Sequence, residues 1–130
     1  MNPAKVFVDA NILFSACRPG AHLHGLLFRL ADEGRLVSCD LAIDEAARNL
    51  FRKRPDWAPN LAIIVQRTTR VPPGRCPLNI SLPANDGALL GGAIAAGCAV
   101  FLTGDRGDFG PLYSRVIEGV LVLPPADFNP

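Results

Sequence analysis

The sequence predicts an α/β fold in which helices cover both faces of a Rossmann-like parallel sheet. Short apolar runs, two of which end on an aspartate, alternate with longer segments whose apolar residues recur at helical spacing. Buried parallel strands are typically continuous apolar runs, whereas the helices that cover them have one apolar face. At 130 residues the chain has the length of one domain, so we predict a single domain over residues 1–130.

Turn-forming residues divide the chain into its predicted elements. Pro19, Gly34 and Pro55 follow the first three predicted helices, and residues 71–82 contain three prolines and one glycine, which is typical of a loop. The predicted strands are residues 5–8, 36–39, 100–103 and 120–123. The predicted helices are residues 10–17, 21–33, 40–54, 57–69 and 84–97.

Composition and charge restrict the class of protein. Apolar residues make up 49% and charged residues 19% of the chain, which is typical of a globular protein rather than a disordered one. The formal net charge of +1 argues against a strongly basic nucleic-acid coat protein, but a local site can differ from the net charge. No apolar run approaches the ~20 residues that span a membrane, and Asp9 comes too early for a secretory signal. We therefore expect a cytoplasmic protein that does not associate with membranes.

Two of the predicted strands end on an aspartate: Asp9 follows residues 5–8, and Asp105 follows residues 100–103. The carboxyl ends of parallel strands lie at one edge of a sheet, where ligands of such sheets bind. We therefore expect the two carboxylates to lie close together. Taken singly, either aspartate could instead cap a helix or begin a turn.

Two further acids are predicted to lie on helices. Asp86 is in the first turn of helix 84–97, on the apolar face that should meet the sheet, although the helix dipole alone also favours an acid there. Glu45 is expected to point away from the apolar side of helix 40–54, on a face shared with Arg48, which is also typical of a solvated helix. That apolar side is expected to comprise Ile43, Ala46, Ala47, Leu50 and Phe51.

Four carboxylates in one cleft would repel one another, and each would be costly to desolvate without a cation. Mg²⁺ and Mn²⁺ prefer carboxylate and water oxygens as ligands. Such ions assist phosphodiester hydrolysis by lowering the pKa of an attacking water and by stabilising the leaving oxygen. The four acids therefore predict a Mg²⁺ or Mn²⁺ site suited to that reaction.

These motifs together resemble the PIN-domain family. The resemblance covers nearly the whole chain and rests on Asp9 and Asn11 after the first strand, Glu45 and Asp86 on helices, and the Leu-Thr-Gly-Asp run that ends at Asp105. It implies a Rossmann-like sheet of about five parallel strands flanked by helices. It also implies a Mg²⁺- or Mn²⁺-dependent ribonuclease. Small PIN proteins of this length are often toxins of type II toxin–antitoxin pairs, which implies an antitoxin partner.

Carried over position by position, the resemblance assigns roles to the polar residues of these motifs. Asn11 and Thr103 would orient the acids, and Asp108 is a candidate fifth acid. PIN proteins often place that acid closer to the preceding one. A turn residue without a role at the metal site is therefore an equally good interpretation of Asp108. The acids of the catalytic metal site would be Asp9, Glu45, Asp86 and Asp105.

Basic residues and surplus apolar residues predict the partners. Arginine and lysine contact RNA phosphates without reading sequence, although a basic run is also typical of a helix C-terminus. Helices 21–33 and 57–69 carry more apolar residues than one small core needs, so we expect a homodimer and an antitoxin segment as partners, without assigning a helix to either. The candidates for RNA contact are Arg48, Arg52, Lys53, Arg54 and Arg106.

Three other classes of protein compete with the ribonuclease interpretation. A phosphoacceptor receiver domain needs adjacent acids after its first strand and a lysine at a strand end, whereas Ala10 and Asn11 follow Asp9 and the only lysines are Lys5 and Lys53. A haloacid-dehalogenase-type phosphatase needs a second aspartate where this chain has Asn11. A catalytically inactive PIN fold that binds RNA or protein is the third alternative, against which the four acids argue.

Overall fold

The computed structural model describes residues 3–130, so Met1 and Asn2 of the predicted domain lie outside the described part. Within it, six strands form one sheet. The strands are β1 (Val6–Val8), β2 (Leu36–Ser38), β3 (Thr69–Arg70), β4 (Val100–Leu102), β5 (Val116–Ile117) and β6 (Val120–Leu123). Their order is β3-β2-β1-β4-β6-β5, and all neighbours are parallel except β5 and β6.

Five α-helices connect the strands in the described part of the chain. They are α1 (Ala10–Ala16), α2 (His22–Asp32), α3 (Asp40–Lys53), α4 (Ala58–Gln66) and α5 (Ala84–Ala95). The predicted α/β class with a mostly parallel sheet is thereby confirmed. No helix among residues 3–130 combines the length and apolar character that crossing a membrane requires.

The two central strands, β1 and β4, form the middle of the core. Phe7 and Phe101 are register partners whose side chains are fully buried and whose rings stack with centroids 5.2 Å apart. Phe109 extends the stack, 4.8 Å from Phe101. Because helices cover both faces, every residue of β1 is buried, as expected for a short apolar strand in a parallel sheet. These two parallel strands carry Asp9 and the residues after β4 to one edge of the sheet.

Two short strands were not predicted from the sequence. Strand β3 has two exposed polar residues, so no apolar run marks it. Strand β5 pairs with β6 through a two-residue turn at Glu118 and Gly119, whose φ angles are 47° and 88°. Positive φ at both central positions is typical of a type I′ hairpin, which usually contains asparagine or aspartate before the glycine. This chain has Glu118 at that position, so the sequence does not indicate the hairpin.

The prediction of one helix over residues 57–69 is wrong at both ends. A 3₁₀ helix at Pro55–Trp57 precedes α4, because the proline starts a tight turn. The α-helix then stops at Gln66, and Thr69 already belongs to β3.

Phe51 was expected on the apolar side of α3, but the structure leaves it 80% exposed. The buried side of α3 consists of Ala42, Ile43, Ala46 and Leu50. At 100° per residue, Phe51 lies about 100° from Leu50, beyond the edge of that stripe.

Residues 21–33 were expected to carry surplus apolar surface. That surplus is small, because Leu26, Leu27 and Leu30 are buried.

Helix α5 contains glycines where the loop after β3 crosses it. A Cβ on Gly91 would lie 2.5 Å from the carbonyl oxygen of Arg75, and one on Gly92 would lie 2.7 Å from that of Pro72. The amide of Gly74 donates to the carbonyl of Ala88 at 2.9 Å. The small residues of α5 thus allow backbone-to-backbone packing, and this contact fixes the helix whose first turn carries Asp86.

Candidate metal centre

Asp9 lies at the carboxyl end of β1 and is only 3% exposed. It is also the N-cap of α1, since its Oδ1 accepts the amide hydrogen of Ala10 at 2.7 Å. Its Oδ2 accepts from the Thr103 hydroxyl at 2.8 Å and from Asn11 Nδ2 at 3.3 Å. Every oxygen of this buried carboxylate therefore has a donor, which holds the side chain in one orientation.

Asn11 and Thr103 connect the ends of β1 and β4. The Oδ1 of Asn11 accepts the amide hydrogen of Gly104 at 2.7 Å, while the Thr103 hydroxyl accepts that of Asp105 at 3.1 Å. A side chain at position 104 would crowd this contact, because a Cβ there would lie 3.2 Å from Asn11 Oδ1. The resemblance implied an orienting role for both residues, and these are the contacts through which they would exert it.

Asp105 organises the turn that follows β4. Its Oδ1 accepts the backbone amides of Gly107 at 3.0 Å and of Asp108 at 3.1 Å. The turn therefore brings Asp108 back towards Asp105 despite the intervening Gly107. Asp108 itself is exposed.

Three carboxylates lie close enough together to share one cation. Asp86, Asp105 and Asp108 each offer an oxygen, and these oxygens lie within 4.8 Å of one another. Asp86 comes from the first turn of α5, and the other two come from the turn after β4. Among residues 3–130, Asp9 and Glu45 fall outside this group.

The acids influence one another electrostatically. The pKa of Asp86 is raised to about 7, mainly by burial and in addition by the charge of Asp9, a hydrogen bond with Asp108 and the charges of Asp108 and Asp105. Burial also raises the pKa of Asp9, as do the charges of Glu45 and Asp105, whereas the hydrogen bonds from Thr103 and Ala10 lower it. Charge effects thus connect Asp9 with both Glu45 and the group formed by Asp86, Asp105 and Asp108.

Glu45 occupies an outer position in this arrangement. It lies on the exposed side of α3, and its charge acts on Asp9. Glu45 lies outside the group of close carboxylates because of the chain topology. It is one turn into α3, which begins after β2, whereas the other acids follow or flank β1 and β4.

The basic candidates differ in exposure and in the residues that they contact. Arg48, Arg52, Lys53 and Arg106 are exposed. Arg52 donates to Asn49 Oδ1 at 3.1 Å, and the Lys53 ammonium lies 6.0 Å from the centroid of the Phe14 ring. Arg54 instead pairs with Asp56 at 2.8 Å and stacks 4.0 Å from the Trp57 ring centroid. Its guanidinium is therefore already engaged.

Sequence analysis missed two hydroxyl residues at the same edge. The buried Ser38 donates to the carbonyl of Val8 at 2.9 Å, and Tyr113 donates to the carbonyl of Thr103 at 3.0 Å. Ser38 resembles an ordinary strand residue, and Tyr113 lies in an irregular segment. Neither residue can be identified as part of this edge from the sequence alone, because both contacts depend on the order of the strands in the sheet.

The α/β fold is PIN-like, as the sequence resemblance implied. This chain is similar to one in the crystal structure of VapBC2 from Rickettsia felis bound to a DNA fragment from their promoter. The match has a TM-score of 0.62 and 14% identity, and it covers 92% of this chain and 97% of the other. No family model matches the sequence. No curated protein matches it either.

Proposed function

We propose that this protein is a metal-dependent endoribonuclease that hydrolyses RNA phosphodiester bonds and acts as the toxin of a toxin–antitoxin pair. The observation that carries the proposal is the convergence of Asp86, Asp105 and Asp108 oxygens within 4.8 Å, beside the buried Asp9. Carboxylates so close together repel one another unless a cation or a proton lies between them.

The residues fit a hard divalent ion. All the donors are carboxylate oxygens, which suit Mg²⁺ and Mn²⁺ rather than softer metals. Without an ion, the pKa of Asp86 rises to about 7, so its carboxyl group retains a proton under conditions where an ordinary aspartate is ionised. We propose that Asp86, Asp105 and Asp108 hold Mg²⁺ or Mn²⁺, with Asp9 and Glu45 completing the site. The ion would supply a water of lowered pKa and stabilise the negative charge that develops on the phosphate.

Three of the five acids have distinct parts in this proposal. Asp9, held by Thr103 and Asn11, supplies a fixed charge at the base of the site. Asp86 loses its proton when the ion binds. Glu45 is the exposed acid, and we propose that it orients the attacking water and accepts its proton.

RNA would bind through exposed cations around the acids. Arg48 and Arg52 follow Glu45 on α3, Lys53 lies at the end of that helix, and Arg106 follows Asp105. Such contacts give affinity for phosphates without sequence specificity. They also offset the repulsion between the acid cluster and the RNA backbone.

The proposed partners are an antitoxin segment and a second copy of the chain, in the cytoplasm. VapBC2, the solved structure to which this chain is similar, is a toxin–antitoxin complex. A groove of about 400 Å³, lined in part by Phe14, Arg18, Leu23 and Trp57, is the surface that we propose for the antitoxin. Ile63 on α4 is 49% exposed, and we propose that the homodimer forms through this helix.

Single-turnover cleavage of a mixed RNA pool tests the proposal. Wild-type protein should cleave RNA with Mn²⁺, and a chelator should stop the reaction. Asp86→Asn should bind RNA but not cleave it. If wild-type protein cleaves no RNA with any divalent metal and Asp86→Asn behaves identically, the nuclease proposal is wrong, and a PIN-like RNA- or protein-binding module takes its place.

A further inference from the structure

The two strands that lead to the acid cluster end in carbonyl groups bound by side-chain hydroxyls. The last register pair of β1 and β2 is Phe7 with Val37, and the next carbonyl along β1, that of Val8, accepts from Ser38 at 2.9 Å. The last pair of β4 and β6 is Leu102 with Leu123. Thr103 is the first residue after β4, and its carbonyl accepts from Tyr113 at 3.0 Å.

Both carbonyls are directly connected to the candidate metal site. Val8 immediately precedes Asp9, so the position of its peptide sets the direction in which that carboxylate leaves β1. Thr103 donates its own hydroxyl to Asp9 and accepts the amide hydrogen of Asp105. Movement of the Thr103 peptide would therefore displace both acids.

The hydroxyl contacts lie where the backbone pairing of the strands ends. The last backbone bonds are donated by the amide of Asp9 to the Leu102 carbonyl and by the amide of Thr103 to the Leu123 carbonyl, both at 3.1 Å. Buried carbonyl groups need a donor, and the residues that carry these two carbonyls, Val8 and Thr103, are both 0% exposed. Beyond the paired residues, repulsion among the carboxylates would push the strand ends apart. A donor from a neighbouring segment opposes that motion at each strand.

We propose that Ser38 and Tyr113 are positioning residues of the metal site, which clamp the ends of β1 and β4 so that Asp9 and Asp105 face the other acids. The inference rests on the proposed metal site and goes beyond it, because neither hydroxyl is itself a ligand. Ser38 reaches β1 from the neighbouring strand, β2. Tyr113 reaches β4 from the segment after the 3₁₀ helix Gly110–Leu112.

The test removes one hydroxyl at a time with Ser38→Ala and Tyr113→Phe and measures Mn²⁺ affinity by electron paramagnetic resonance titration. Thr68→Val is the matched control, because the Thr68 hydroxyl also donates to a backbone carbonyl, that of Ile64, at 2.7 Å. Each clamp variant should bind Mn²⁺ about tenfold more weakly, the size of effect that residues supporting metal ligands have. Thr68→Val should bind Mn²⁺ as wild type does.

Kinetics and stability separate positioning from a general structural role. In Tyr113→Phe the single-turnover rate at saturating RNA should fall, while the RNA concentration that gives half the maximal rate stays unchanged. If Thr68→Val weakens Mn²⁺ binding as much as the clamp variants at equal loss of stability, the inference is overturned. Wild-type Mn²⁺ affinity in both clamp variants overturns the inference alone, whereas absence of Mn²⁺ binding by the wild-type protein overturns the proposed function with it.

Discussion

The hydroxyl of Thr103 donates a 2.8 Å hydrogen bond to the carboxylate of Asp9, across 94 residues of sequence. The register of the two central strands produces this contact, because Val8 pairs with Leu102 and the next residue on each strand is Asp9 or Thr103. A shift of one residue in that register would turn Thr103 to the other face of the sheet. The site therefore depends on how β1 and β4 pair.

The metal-free protein should become less stable as pH rises from about 4 to about 7. Asp86 has a folded-state pKa of about 7, above its ordinary 3.8, so the unfolded chain ionises first and ionisation disfavours the folded state. Asp9, whose pKa is also raised, acts in the same direction. Asp86→Asn should reduce this loss and raise the melting temperature at pH 8 in the presence of a chelator, as thermal unfolding at several pH values can measure.

Asp56→Asn is the control for that experiment, because hydrogen bonding with Arg54 lowers the pKa of the exposed Asp56. Its removal should give no stabilisation at pH 8. A decrease in stability for Asp86→Asn in chelator at pH 8 would contradict the repulsion that we infer among the acids.

Divalent ions should stabilise the wild-type protein by mass action. An ion at 100 times its Kd adds about 2.7 kcal/mol to the free energy of unfolding when it binds only the folded state. Asp9→Asn should weaken this response, because it removes one charge from the shared site. Differential scanning fluorimetry with Mg²⁺ or Mn²⁺ measures the shift, and an undiminished response in the variant would exclude Asp9 from the site.

Arg52→Ala should weaken RNA binding about equally for all sequences. Loss of one phosphate contact should also reduce the slope of log K against log salt by about 1. Binding of non-cleavable 2′-O-methyl RNA at several salt concentrations measures both quantities. Arg29→Ala is the control, because it makes the same change of charge on α2, which has no predicted site residue. An equal loss of RNA binding in that variant would show that net charge alone is responsible.

Gly91→Ala should destabilise the protein by roughly 1–3 kcal/mol, because the new Cβ would lie 2.5 Å from the Arg75 carbonyl oxygen and backbone must move. Gly25→Ala, on α2, is the control, since nothing lies within 4 Å of a Cβ there. It should be neutral or stabilising by up to about 1 kcal/mol, the difference in helix propensity. Urea unfolding of both variants measures the difference, and equal effects would contradict the close packing of α5 on the loop.

The homodimer proposal predicts a dimer by sedimentation velocity at micromolar concentration. Ile63→Asp should dissociate it, since a charge would replace an exposed apolar side chain in the contact. Leu78→Asp, at a fully exposed leucine outside α4, should leave the dimer intact. A wild-type monomer would remove the proposal, and dissociation by Leu78→Asp instead would move the contact to the loop of residues 71–82.

Strand patterning in the sequence was sufficient to predict the α/β class and the presence of Asp9 and Asp105 at one edge. Continuous apolar runs identify buried parallel strands, and all parallel strands end at the same edge. The helical positions of Asp86 and Glu45 were also predictable, because apolar residues recur at helical spacing in both segments. Local signals failed for β3, which is exposed and polar, and for the turn at Glu118, where the hairpin lacks its usual residue.

Tertiary structure alone decided which polar groups support these acids. Asp108 lies near Asp86 because the Asp105 side chain accepts the backbone amide of Asp108 and so closes the turn from Asp105 to Asp108. The spacing around Gly107 did not predict this contact. Ser38 and Tyr113 meet the ends of β1 and β4 only because of the strand order and the path of the chain after β4. Sequence periodicity records which side chains become buried, whereas contacts between distant segments depend on register and topology, which local patterns do not encode.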